Sequence, residues 1–193
     1  MGIKVITPVA TEPVTLAEAK LHLRLIVDPA DTTPHPDDAM IQAQISAARE
    51  FAEHYTGRAL APQTLELALD EFPADSIELP RVPVTAITSI KYIDVDGAEQ
   101  TLDAELYSLD DYGITAWVDP AYDTAWPETR AIKNAVKVRY TAGYETAPST
   151  VKDAMLLTVA HLYENRQEAT SYKVEQIPMG TKSLLNTIDT MPV

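Results

Sequence analysis

Apolar residues in this sequence recur every three or four positions up to Gly57, alternate with polar ones at Leu65–Leu69 and again at Val136–Ala142, and run nearly without a break from Ala154 to Tyr163. Two changes of period in one chain predict helices, then a block of antiparallel strands, then helix again. That is the α+β class, with the strands inserted between helices. At 193 residues the chain suits one domain.

The first helix is expected to open at Pro13-Val14-Thr15. There Thr15 and Glu18 form a capping box, and Leu16, Ala19 and Leu23 come after it at helical spacing. It should end near Val27, before a connector with three prolines in Asp28–Pro36. The second helix runs from Asp37-Asp38, two carboxylates suited to the positive end of a helix dipole, to Gly57, a left-handed terminator. Its stripe is Met40, Ile41, Ile45, Ala48, Phe51, Ala52 and Tyr55. Residues 63–142 then read as one antiparallel sheet module with one buried face. Asp96-Gly97 is expected as a two-residue hairpin turn, and Asp110-Asp111-Tyr112-Gly113 as the tip of a second hairpin. A third helix opens at Pro148-Ser149-Thr150, with Thr150 and Asp153 spaced as a capping pair. Its stretch Ala154–Tyr163 is apolar on nearly every side and so asks for cover on every side, which a neighbouring subunit would supply. Thr170–Met179 reads as extended, and Thr181–Ile188 as a short helix on Leu184, Leu185 and Ile188.

Composition removes whole classes of function. There is no cysteine, hence no disulfide scaffold, thiolate metal site or cysteine nucleophile. Fifteen Lys+Arg face 29 Asp+Glu, a net charge of −14, which opposes phosphate-gripping contacts with nucleic acid and docking on anionic membrane. No apolar run has the roughly 20 residues of a membrane span, and the first residues lack a signal peptide's pattern. The charge is segregated. Residues 61–130 hold 3 basic and 15 acidic side chains, whereas residues 131–193 hold 7 and 6. The distribution suggests a molecule with distinct faces, but an acidic, solvated module is the reading preferred over a specific electrostatic role.

Catalytic patterns fail one by one. His161 and Glu164 share a helical face three residues apart, but the second copy that a helical metal site needs is missing. Asp94, Asp96, Gly97 and Glu99 lack the remaining ligands of a calcium loop. Gly180-Thr181-Lys182-Ser183 lacks the upstream glycine and strand of a phosphate loop, and no Gly-x-Ser-x-Gly elbow occurs.

An ordered series of segments carries more. Pro13-Val14-Thr15-Leu16-Ala17-Glu18-Ala19-Lys20 leads to Leu23-Arg24, then Asp37-Asp38-Ala39-Met40-Ile41 and Tyr55-Thr56-Gly57-Arg58-Ala59-Leu60. Leu79-Pro80-Arg81-Val82-Pro83-Val84, Ile87-Thr88-Ser89-Ile90-Lys91-Tyr92 and Trp126-Pro127 come next. Val138-Arg139-Tyr140-Thr141-Ala142-Gly143-Tyr144, His161-Leu162-Tyr163-Glu164-Asn165-Arg166 and Pro178-Met179-Gly180 complete it. The series resembles the head–tail connector (adaptor, or head-completion) proteins of long-tailed bacteriophages and gene transfer agents, in the subfamily with a β insertion. The resemblance covers about residues 8–188.

The resemblance implies a non-enzymatic structural adaptor of the virion neck, present in the host cytoplasm during assembly and needing no cofactor or metal. By the same resemblance the chain would form a ring, usually of twelve copies, under the portal protein. The ring would extend the DNA channel without binding DNA specifically, touch no membrane, and offer a platform for the stopper. The layout would be a single connector domain over 1–193. Three long helices and a short C-terminal one would give a helical core at 1–60 and 148–169. A β-rich insertion at 61–145 and a docking tail at 170–193 would complete it. Tyr172, Val174, Ile177, Met179, Leu184 and Leu185 would grip the portal, and Met155, Leu156, Val159 and Tyr163 would lie between ring subunits. Asp94, Asp96, Glu99, Asp110 and Asp111 are candidates to face the channel, where carboxylates would repel passing phosphates. A stopper or tail-completion role in the same neck is the alternative, and a metal-dependent enzyme using His161 and Glu164 a remote one.

Overall fold

A computed structural model describes residues 2–165 and 179–188. The chain divides into two compact units, Met1–Ala10 with Ala61–Glu145, and Thr11–Leu60 with Thr146–Val193. The first residues, grouped by sequence with the helical half, therefore belong to the β unit. The reason is pairing: β1 (Gly2–Thr7) lies antiparallel on β2 (Gln63–Leu69).

In the helical unit, α1 is Leu16–His22, α2 Asp38–Thr56, α3 Ser149–Glu164 and α4 Met179–Leu185. Two helices are long and two are short, where three long ones were expected. The capping box forms as read: the Glu18 amide donates to Thr15 Oγ1 at 3.2 Å, and the Thr15 amide donates to Glu18 Oε2 at 2.7 Å. The helix stops five residues early because Arg24 turns left-handed (φ 60°). The Arg24 amide donates to the Leu21 carbonyl and the Leu25 amide to the Lys20 carbonyl, the two bonds of a Schellman cap. An arginine at a position that usually needs glycine gave no stop signal. Helix α2 ends at Gly57 (φ 67°) as anticipated and buries Ile41, Ile45, Ala48 and Ala52. Helix α3 begins behind Pro148 with no side-chain cap, so the Thr150–Asp153 pair is not its start.

The β unit holds two sheets where one was expected. Strands β3 (Ile77–Leu79), β4 (Val84–Ile93), β5 (Glu99–Thr101), β6 (Tyr107–Asp110), β7 (Ala116–Pro120) and β8 (Val136–Ala142) complete it. The larger sheet has the order β1-β2-β8-β4-β5 and the smaller β3-β7-β6, and every pairing is antiparallel. Alternation sets the core. Leu65, Leu67, Val136, Val138 and Tyr140 are buried in the larger sheet, and Ile77, Leu79, Ala116 and Val118 in the smaller. The Tyr140 hydroxyl donates to the Pro80 carbonyl just beyond β3 at 2.8 Å, satisfying the polar atom of that inward row. Phe72 stacks on Trp126 (5.0 Å, 4°) and meets Tyr92 edge-on. The first hairpin closes through three residues, Val95–Gly97, not two. Asp94 and Ala98 form the last bonded pair, and Gly97 (φ 93°) absorbs the bulge.

Candidate interaction surfaces

Helix α3 is buried along a single stripe, Val151, Ala154, Met155, Thr158 and Val159, the i, i+3, i+4, i+7, i+8 series of an ordinary amphipathic packing face. Met155 and Val159 have no exposed surface. Assigning them to a subunit boundary is therefore corrected: their own chain already covers them. Leu156 and Tyr163, on the flanks, are half-buried. The Tyr163 hydroxyl donates to Asp37 Oδ2 at 2.7 Å, tying the end of α3 to the start of α2.

The tail splits in the same way. Tyr172, Val174 and Ile177 lie outside the described residues, as does the side chain of Met179. Leu184 is half-buried. Leu185 is fully buried, so its assignment to portal contact is also corrected. Helix α4 sits on α3 and α2, and Tyr55 donates to Asn186 Oδ1 at 2.7 Å beside it.

The five acids occupy the two hairpins. Asp94 serves its own turn: the Gln100 side chain and then the Ala98 amide donate to it and hold its carboxyl below the usual range. Glu99 pairs with Lys91 at 2.8 Å, and that ammonium lowers it likewise. Asp110 Oδ1 accepts the Tyr112 amide, while Asp96 and Asp111 stand exposed at the hairpin tips. His161 is bonded to Asn165, not to Glu164, which is exposed.

Sequence reasoning missed a buried ionic cluster in the helical unit. Arg49 donates through Nε to Glu12 and through Nη1 to Glu53, both at 2.8 Å. Glu53 also accepts the Leu60 amide, and Ser46 donates to Glu12. Burial disfavours the guanidinium charge, but the bond Arg49 donates to Glu12 and the fields of Glu53, Glu12 and Glu50 outweigh it and raise Arg49. The cluster fastens the arm before α1 and the loop after α2 to one helix. The signal was an i, i+4 Arg-Glu pair sitting in the α2 face, unremarkable without knowing that Glu12 approaches.

A family model described as head completion protein matches residues 30–190. The chain belongs to that family. The chain is also similar, over 100% of its length and 97% of the other chain, to a protein in the neck of an empty gene transfer agent particle computed with C6 symmetry (26% identity, TM-score 0.81). A second structure, the virion of a native gene transfer agent particle, gives the same coverage at 26% identity and TM-score 0.79. A third, the neck of a native particle computed with C12 symmetry, shares the fold at 23% identity and TM-score 0.77. No curated protein matches the chain.

Proposed function

We propose that this protein is a structural adaptor of a phage-like neck. Copies of it ring the channel beneath the portal, lengthen the DNA conduit and carry the stopper or tail; no step of catalysis is required. The observation that carries the reading is the end-to-end likeness, at 26% identity, to a protein resident in a gene transfer agent neck. A twelvefold ring is part of the proposal.

In this reading Leu156 and Tyr163 of α3 lie towards a neighbouring subunit. Tyr172, Val174, Ile177 and Met179, with the half-buried Leu184, contact the portal. Of the five acids, Asp96 and Asp111 at the hairpin tips are assigned to the channel, because Asp94 and Glu99 are engaged inside their own hairpin. A gene deletion should give DNA-filled heads without tails, and added purified protein should restore tail joining. A reconstruction of the neck should place the chain in contact with the portal. Normal tails after deletion, or a neck lacking this chain, would overturn the proposal; a position one ring further from the portal would make it a stopper.

A further inference from the structure

The two sheets present outward faces of opposite charge. On β7, Ala116 and Val118 are buried while Trp117 between them is 38% exposed. Register places Glu78 of β3 on one side of Trp117 and Asp110 of β6 on the other. Directly paired side chains in a sheet stand about 5 Å apart, so the indole lies between two carboxylates. The next outward row pairs Ser108 with Asp119, whose carboxylate is bonded to the Ser76 hydroxyl. No lysine or arginine occurs between Tyr92 and Thr129, the stretch that holds β6 and β7. Solubility explains carboxylates but not an exposed indole between them. A π face flanked by negative charge is a seat for an ammonium or guanidinium group.

The larger sheet offers such groups. Lys4 of β1, Glu66 of β2 and Arg139 of β8 lie side by side across one outward row. Lys137 of β8 and Lys91 of β4 occupy the next. These four cations stand against two acids, Glu66, which takes Arg139 at 2.6 Å, and Glu99, which takes Lys91 at 2.8 Å, an excess of two positive charges among the residues named. In a chain of net charge −14 that is a local reversal.

We propose that the Trp117 face of one copy docks on the outward face of the β1-β2-β8-β4-β5 sheet of a second copy. The inference rests on the adaptor ring proposed for this protein. Subunits of a ring meet head to tail through two different patches, and these two complement each other in charge. The contact would place Trp117 against Lys137 or Arg139 of its neighbour.

Charge exchange tests it in assembled particles. Glu78→Lys with Asp110→Lys should lower incorporation into necks roughly tenfold, since like charges then face each other. Lys91→Glu with Lys137→Glu should do the same. The four changes combined should restore incorporation to within about threefold of the parent, as expected for a cycle of directly coupled charges. All of these positions are surface ones, and circular dichroism of each variant checks that folding is intact. Because the chain has no cysteine, Ser108→Cys gives a single thiol on the Trp117 face. It should react with maleimide in the free protein and be protected in the particle. Failure of the fourfold variant to recover overturns the second copy as occupant, even if the thiol is protected, and assigns the face to another neck protein. Equal labelling in particles and in free protein overturns docking altogether. A ring with a labelled thiol refutes this inference alone, whereas particles lacking the chain refute the adaptor reading.

Discussion

Replacing Leu185 with alanine tests whether the C-terminal helix belongs to the fold or waits for a partner. Helix α4 has seven residues, too few to hold a helix in water by backbone bonding alone. Its stability must come from packing, and among its described side chains Leu185 is the large one buried completely. Truncating a fully buried leucine costs about 2–5 kcal/mol. A short helix near the chain end can settle into part of the space, so about 3 kcal/mol is expected. For a chain of this length each kcal/mol lowers Tm by roughly 2–4 °C, which predicts a fall of about 6–12 °C. Urea unfolding followed by helical circular dichroism should show a lower midpoint at unchanged slope, because the surface exposed on unfolding is nearly the same. The half-buried Leu184, changed the same way, should cost no more than about 1 kcal/mol. A loss below about 0.5 kcal/mol for Leu185→Ala would refute the reasoning. It would mean that α4 leaves the core in the free protein and that Leu185 is available for docking after all.

The geometry predicts three more outcomes. Gly143→Ala should destabilise by about 2–5 kcal/mol in a thermal melt, since φ is +121° and a Cβ there would collide with the Ala61 carbonyl group. Tyr140→Phe should cost about 1–3 kcal/mol by leaving the Pro80 carbonyl without its donor, and should remove a phenol that burial pushes far above its ordinary ionisation range. Glu18 is raised by burial, but the Thr15 amide, then Lys152 and the Thr15 hydroxyl, outweigh this and hold it below 4.5. Its stabilisation is therefore present above pH 4.5 and fades as pH falls through the lowered value. Glu18→Gln should flatten that acid limb of a stability–pH curve, and an unchanged limb would exclude the capping box as its source.

The elements legible from sequence were those whose signals are local. The capping box at Thr15 and the Gly57 terminator needed only neighbouring residues, and both formed as read. So did the strands flanking Asp110–Gly113. What escaped depends on distant partners. Strand β1 is six residues whose partner lies some sixty positions away, and nothing in Gly2–Thr7 names it. The split into two sheets turns on Ile77–Leu79, a three-residue strand too short to show a period. The end of α1 was hidden because Arg24 does the work of glycine. At the candidate interaction surfaces the hairpin acids were proposed from charge alone, whereas the placement of Trp117 between Glu78 and Asp110 needs the register.

Helix α3 shows how composition misleads about assembly. As a string, Ala154–Tyr163 is apolar all round and demands cover from a neighbour. In the fold, one stripe takes the usual buried positions; of the half-buried remainder, Leu156, Leu157 and Ala160 share their side of the helix with the exposed Asp153 and Glu164, and Leu162 and Tyr163 lie at its end. That strip is too narrow and too charged at its rim to carry a stable contact alone. The exposed large apolar side chains concentrate elsewhere: Leu106, Tyr112, Ile114, Trp117 and Tyr122 all fall on or beside the β6–β7 hairpin, and Ile3 and Val5 on β1. Exposed apolar surface rimmed by charge is what an association surface looks like before it closes. The proposed docking of the Trp117 face on a second copy would therefore put more of the assembly contact on the inserted β unit than on α3. A mutational scan of assembly should then find its largest losses on β7 and β8 rather than on α3.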